Sequence, residues 1–338
     1  MSLSALLLVV FISAVLLTGF VRLVAIRAKV LDLPISRSAH VSPTPVGGGV
    51  SIASITLVSI CIFFYNGKIP VNEFLALCGA ALVAGIGLFD DIKQLNIRWR
   101  LPAQLIAATW SVWWLGNTPS IDIAMFTLSN RFTLNVLAIL ALLWLLNLYN
   151  FMDGIDGLAG SELVFVNLFA LMFAISDSDE VVMLIAAVLS ASGAGFLFWN
   201  LPPAKIFMGD VGSGFAGFMA GVMALLSMHH GTLTVWTWLL LLGVFITDAT
   251  VTLVIRLRNG EKWYEAHNSH AYQNAARRYK SHGKVTITVL AINCLWLAPL
   301  AWYTVKRPDL GVLVCIVGLV PLFFSAVRLK AGHLADTG

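Results

Sequence analysis

Charge is what this sequence has least of. Only 11% of its 338 residues are Asp, Glu, Lys or Arg, where a soluble domain carries about 25%. That is too little to cover a water-facing surface. With 59% hydrophobic residues and a mean hydropathy of +0.88, the composition excludes a water-soluble globular domain and points to a polytopic membrane protein. Cysteine is scarce as well. Cys61, Cys78, Cys294 and Cys315 each sit inside an apolar run and form no metal-type spacing, so they read as packed or lipid-facing thiols. No basic segment precedes the first apolar stretch at Leu3, and no small-residue cleavage site follows it. That stretch reads as a retained membrane helix rather than a signal peptide. No internal repeat is visible, which withdraws support from an inverted-repeat transporter.

What is present is apolar length. Windows long enough to cross a bilayer, roughly 17 to 25 residues, run over 3–25, 47–65, 73–89, 101–117, 132–150, 160–176, 181–199, 213–230, 232–255, 285–304 and 310–327. The expected fold is an all-α polytopic membrane protein of about 10–11 transmembrane helices, a single integral membrane domain over 1–338. Eleven crossings place the termini on opposite sides. Of the 21 Lys and Arg, only Lys68, Arg131, Lys306 and Arg307 fall in the connectors of one side. The positive-inside rule makes the other side cytoplasmic, with the N-terminus outside and the C-terminus inside.

The cytoplasmic connectors also hold every motif with chemical capacity. "FDD" places Asp90 and Asp91 at the end of one helix. Adjacent carboxylates at a membrane border repel and are costly to desolvate, and negative charge at a helix C-terminus opposes the macrodipole. A cation or a phosphate-handling role explains them better than a solvated helix end. "NLYNFMDGIDG" ends an apolar run with Asn147, Asn150, Asp153 and Asp156 at intervals of three, and Gly154 among them. Steps of three drift about 60° around a helix, so Asn147, Asn150 and Asp153 are expected on one broad face looking into a cavity. "FMGDVGSG" opens a further helix. Its glycines let backbone amides approach a ligand, and the helix N-terminus favours anions. Asp210 there would repel a bare phosphate unless Mg²⁺ stood between them; the plainer reading is an N-cap. Phe207 is a stacking candidate or a packing residue. "HNSHAYQNAARR" carries His267 and His270 with no third zinc ligand at helical spacing, so with Arg277 it reads as a phosphate or pyrophosphate binder. Arg37 and His40, in the connector before "GGG", could reach an anion. Asp248 lies one or two turns inside an apolar helix, either orienting a site residue or making a structural hydrogen bond. His229 and His230 lie at the opposite side and read as plain connector residues.

Taken in order, "R-x-x-H…PTP-x-GGG", "FDD", "N-x-x-N-x-x-DG-x-DGLAG", "FMGD-x-GS" and "H-x-x-H-x-YQ" resemble the polyprenyl-phosphate N-acetylhexosamine-1-phosphate transferase family. The resemblance spans about residues 30 to 280. It is closer to the WecA/WbpL-like branch, which starts O-antigen and related lipopolysaccharide glycans, than to the MraY branch of peptidoglycan synthesis. It implies transfer of a sugar 1-phosphate from a UDP-N-acetylhexosamine to undecaprenyl phosphate, with release of UMP, at the cytoplasmic face of the bacterial inner membrane. By likeness, Asp210 matches the main Mg²⁺ ligand (Mn²⁺ being the substitute ion), Asn150 a second ligand or a pyrophosphate contact, and Asp90 and Asp91 the catalytic pair. Gly154, Asp156 and Phe207 match the uracil pocket, with Asn147 and Asp153 in its surroundings. His267, His270, Arg277, Arg37 and His40 match the contacts to phosphates. Ser38 stands where many relatives carry a second basic residue. The implied partners are the two substrates and the bilayer, with no nucleic acid, and a homodimer is compatible with the reading. The alternatives are phospho-N-acetylmuramoyl-pentapeptide transfer and, from other classes, a polytopic transporter or a non-catalytic scaffold. A transporter predicts ionisable residues near mid-span, whereas these acids cluster at helix ends.

Overall fold

The chain is described from a computed structural model, over residues 2–32, 43–123, 126–262 and 267–333. It is helical almost throughout. In chain order the elements are α1 (Leu3–Arg27), β1 (Leu31–Asp32), β2 (Thr44–Pro45), α2 (Gly49–Tyr65), α3 (Val71–Lys93) and α4 (Ile97–Leu115). Then come β3 (Ile121–Ile123), β4 (Phe126–Leu128), α5 (Arg131–Met152), α6 (Leu158–Ser176), α7 (Glu180–Asn200) and α8 (Gly209–His230). The chain finishes with α9 (Val235–Leu241), α10 (Gly243–Arg258), α11 (Ala271–Tyr279), α12 (His282–Ile292), α13 (Ala298–Lys306) and α14 (Gly311–Arg328). Among the described residues the strands form two short antiparallel pairs, β1 with β2 and β3 with β4.

Every expected apolar window is helical, but not every one is a simple span. Among the described residues, eight helical runs are long and apolar enough to cross a membrane. The window 232–255 is instead two helices, α9 and α10, bent by 77° at Leu242–Gly243. Glycine is a usual site for such a break. α2 is apolar but only 17 residues long. α4 carries Arg98, Arg100, Pro102 and Gln104 in its opening turns, which lowers its hydropathy. α12 and α13 form one crossing joined by a π-helical turn, Asn293–Leu297.

α8 is the hub. In its apolar window 89% of residues are buried, against 22% for α1 at the periphery. It packs on α3 and α5 and, less extensively, on α2. Small residues make this possible: a Cβ at Gly217 would collide with the backbone of Leu145 on α5. Successive long helices alternate in direction, so the C-terminal ends of α1, α3, α5 and α7 meet the first turns of α8 and α12 at one end of the bundle. The opposite end holds a difference from expectation. His230 is not a plain connector residue: its two ring nitrogens lie 2.9 Å from Asp179 and 3.1 Å from Glu73, tying α8 to α7 and α3.

Candidate active site

The end of α3 illustrates how the site is built. Asp91 sits at a helix C-terminus, the wrong end for negative charge. It lends its carboxylate to another helix: Oδ1 accepts from the Asp210 N–H at 2.7 Å and Oδ2 from the Val211 N–H at 3.1 Å. These are free donors of the first turn of α8, where both the orphan amides and the dipole favour an anion. Gly209 makes the approach possible. Its φ is +77°, and a Cβ there would stand 2.6 Å from the Asp91 carboxylate. Asp90 points elsewhere. Only 6% exposed, it accepts from the Leu95 N–H at 2.6 Å and pairs with Arg100 of α4. It does not line the cleft.

Because Asp91 serves the α8 amides, Asp210 is released from that duty, and the N-cap reading does not hold. Its side chain is 32% exposed and faces a polar cleft of about 1240 Å³. There it accepts from Asn150 Nδ2 at 2.5 Å and lies 3.4 Å from the Arg100 guanidinium. Asn150 and Asp153 line the cleft together; Asn147 does not. Two steps of three residues carry Asn147 well away from Asp153, and its amide donates instead to the Leu143 carbonyl one turn back, at 2.7 Å. The expectation of a shared face is corrected for that residue.

Gly154 and Asp156 form the next stretch of wall. A Cβ on Gly154 would overlap the Tyr272 hydroxyl and come within 2.8 Å of Gln273. Asp156 Oδ2 accepts from the Ala204 N–H at 3.0 Å, and Oδ1 lies 3.2 Å from His282 Nδ1. Asp156 thus ties the "DGIDG" turn to the loop before α8 and to the start of α12. Phe207 also lines the cleft, its N–H donating to the Pro45 carbonyl at 2.8 Å.

The fourth wall is α11 with the residues before it. Asp248, buried in α10, accepts from the N–H groups of Ala271 and Tyr272 at 2.9 and 2.8 Å and lies 3.2 Å from His270 Nδ1. One carboxylate therefore holds both the α11 N-terminus and the His270 ring. That settles the two readings of Asp248 in favour of both. His270 is 2% exposed and stays behind the cleft wall; His267, stacked on it at 4.8 Å, lines the cleft. Burial, with help from His270 and Arg256, pushes His267 down to about 3, so at neutral pH it is an uncharged hydrogen-bonding ring, not a cation. Arg277 lines the cleft, held by the Asn268 carbonyl at 2.7 Å and by Asn274; its buried Nε has no hydrogen-bond partner among the described residues. Arg37 and His40 lie outside the described residues.

Several residues in or beside the cleft escaped the sequence reading. Arg100 reaches Asp90 and Asp210 only through space, and nothing in its local sequence marks it. Asn200, which accepts from the Gly157 N–H at 3.0 Å, likewise has no local signal. Gln273 and His282 line the cleft too. His282 did have a signal, as an imidazole at the first turn of an apolar helix on the motif-bearing side.

The charge balance bears on a metal. Burial first, then the carboxylates of Asp210, Asp91 and Asp156, push Asp153 well above the usual carboxylate range. Crowded acids of this kind suit a divalent cation. Among the described residues no three His, Cys, Asp or Glu side chains converge as a complete metal centre. Mg²⁺ does not need one, since it commonly takes one or two carboxylates and fills its sphere with water and phosphate oxygens. The oxygen donors present fit that ion.

Fold and cleft together define a polytopic helical membrane protein with an acidic cleft, floored by a helix N-terminus, at one membrane border. Residues 73–228, from α3 through α8, match the family model of Glycosyl transferase family 4. The chain is 28% identical over 332 residues to a protein of Bacillus subtilis named "Probable undecaprenyl-phosphate N-acetylglucosaminyl 1-phosphate transferase", covering 95% of this chain and 90% of that one. It is 28% identical over 323 residues to the decaprenyl-phosphate N-acetylglucosaminephosphotransferase of Mycobacterium leprae, covering 84% and 78%. Over 200 residues it is 31% identical to the phospho-N-acetylmuramoyl-pentapeptide-transferase of Nostoc sp., covering 54% and 53%. From α3 through α8 the chain is thus similar to glycosyl transferase family 4, and two polyprenyl-phosphate N-acetylglucosamine phosphotransferases align with it over most of its length.

Proposed function

We propose that this protein transfers an N-acetylhexosamine 1-phosphate from a UDP-sugar to undecaprenyl phosphate, releasing UMP, at the cytoplasmic face of the inner membrane. The observation that carries this reading is the release of Asp210. Asp91 satisfies the α8 amides, which leaves Asp210 and Asn150 facing a polar cleft at a membrane border. Two relatives whose names specify N-acetylglucosamine phosphate transfer to a polyprenyl phosphate align over most of the chain. Initiation of O-antigen or a related envelope glycan is the pathway reading.

Phosphoryl transfer needs positioning and charge neutralisation more than covalent help. Asp210 and Asn150 would hold Mg²⁺, which supplies neutralisation of phosphate charge when bound. Arg277 offers a partly buried guanidinium to the donor pyrophosphate, and His267 a neutral N–H. Phe207, Gly154 and Asp156 form the wall for the uracil. The lipid phosphate has a second pKa near 6 and is already largely dianionic at neutral pH, so its oxygen attacks the β-phosphorus directly. The bond from that phosphorus to the bridging oxygen breaks, and UMP leaves with the electron pair. Asp91 holds the α8 N-terminus in register for this in-line geometry, and Asp90 keeps Arg100 beside Asp210.

The test is membranes containing the protein, incubated with undecaprenyl phosphate, Mg²⁺ and each UDP-N-acetylhexosamine in turn, reading released UMP. Release is expected with at least one sugar and only with the divalent cation. No release with any sugar, or release indifferent to metal chelation, overturns the assignment. A phosphosugar adduct trapped on Asp90 or Asp91 without acceptor would replace direct attack by two displacements.

A further inference from the structure

α11 is a partition. Gln273, Ala276, Arg277 and Lys280 line the catalytic cleft on one side of it. Tyr272, Ala275 and Tyr279, on the other side, line a separate cavity of about 630 Å³ between α10, α12 and α14. α14 packs on α10 and α12 packs on α11, but α12 and α14 scarcely touch each other. The cavity therefore opens sideways between them, past the exposed Ile287 and Ser325. Both helices belong to membrane-spanning runs, so the opening faces bilayer hydrocarbon. The interior is mainly apolar, with Val285, Val289, Ile292, Leu322 and Ala326 in its walls; the Asp248 carboxylate also borders it, but both its oxygens are taken up by the α11 amides. Its polar end is at the cleft side, where Lys284 and Tyr279 line it with exposed side chains. Among the described residues Lys284 has no carboxylate partner. Arg328, next to the lining residue Leu329, adds an exposed cation at the same helix end.

We propose that this cavity binds an anionic phospholipid of the surrounding bilayer, one acyl chain lying between α12 and α14 and the headgroup phosphate resting on Lys284 and the Tyr279 phenol. An apolar space open to hydrocarbon takes a lipid chain, and basic pockets at the ends of transmembrane helices take anionic headgroups. The occupant is a bilayer lipid rather than a reacting substrate because α11 stands between this cavity and Asp210. A chain seated here holds its phosphate on the far side of that helix. Its physical effect is to back α11 with a packed surface, so that Arg277 and Gln273 keep their positions in the cleft. The binding claim stands whether or not the proposed transfer reaction is correct.

Native mass spectrometry of the full chain in detergent, titrated with chain-matched phosphatidylglycerol and phosphatidylcholine, tests it. Phosphatidylglycerol is expected to remain bound in clear excess over phosphatidylcholine. Lys284→Gln should cut phosphatidylglycerol retention roughly fivefold, the worth of one cation near the membrane surface, and leave phosphatidylcholine unchanged. Ile287→Trp, at the exposed mouth where folding is not at stake, should reduce both. Equal retention of the two lipids, or phosphatidylglycerol retention unaffected by either variant, overturns the proposal. One-for-one displacement of phosphatidylglycerol by undecaprenyl phosphate would assign the cavity to the acceptor and overturn it as well.

Discussion

Asp91 and Asp210 are the same residue type at one cleft, and their neighbours give them different work. Asp91 accepts two backbone N–H groups, so its carboxylate is structural as well as electrostatic. Among the described residues Asp210 is bonded to side chains alone, and it faces the cleft. Asp210→Asn should therefore lower turnover by about 10²-fold or more with little change in thermal unfolding. Asp91→Asn should cost activity and also about 1 kcal/mol of stability through the weakened α8 cap. Parallel UMP-release and unfolding measurements on the two variants separate the roles. His267 supplies a pH prediction. Its folded pKa lies near 3, below the ordinary value of about 6.5. Between those values the unfolded chain binds a proton that the folded chain refuses, so stability falls as pH drops from 6.5 toward 3. His267→Gln should flatten that acid loss, read as unfolding temperature against pH; an unchanged slope would remove His267 as its source.

α11 is the element on which the cleft depends most, and it is held by groups distant in sequence. Asp248, on the broken α9–α10 crossing, anchors its N-terminus. Tyr272 reaches across to the Phe151 carbonyl at 2.9 Å, and Gly154 leaves room for that hydroxyl. Asp248→Asn should raise hydrogen exchange across 270–279 and leave α8 protected, because the two charge-assisted bonds it weakens belong to α11 alone. Gly154→Ala should displace Tyr272 and reduce activity at least tenfold, partly recovered by Tyr272→Phe, which removes the colliding hydroxyl. No recovery would place the defect in the "DGIDG" turn itself.

At the scale of the whole molecule, alternating helices bring the motif-bearing loops to one end and the His230–Glu73–Asp179 cluster to the other. The distribution of Lys and Arg is the basis of the proposed orientation. Single cysteines introduced into a cysteine-free protein at Lys68 and at Lys280 should behave oppositely toward an impermeant maleimide on intact cells. Lys68→Cys should label, and Lys280→Cys should label only after permeabilisation. The reverse pattern would move the cleft to the outer face and remove its access to cytoplasmic nucleotides.

The class of fold, the placing of the helices and the principal polar residues of the cleft were legible in the chain alone. Low charge, long apolar windows and the clustering of Asn, Asp and Gly at helix ends are local signals, and a bilayer makes local hydropathy decisive because every spanning backbone must satisfy its own hydrogen bonds. Asn150, Asp153, Gly154, Asp156, Phe207, Asp210, His267 and Arg277 were legible in this way. The tertiary structure decided which polar groups pair. Arg100 with Asp90 and Asp210, Asp91 with the α8 amides, Asp156 with His282, and Asp248 with α11 join residues from different helices, and no spacing along one helix encodes them. It also turned Asn147 back to its own backbone and broke the crossing at Leu242–Gly243. Pairings of that kind depend on how close two helices approach and at what angle, which only the packed bundle fixes.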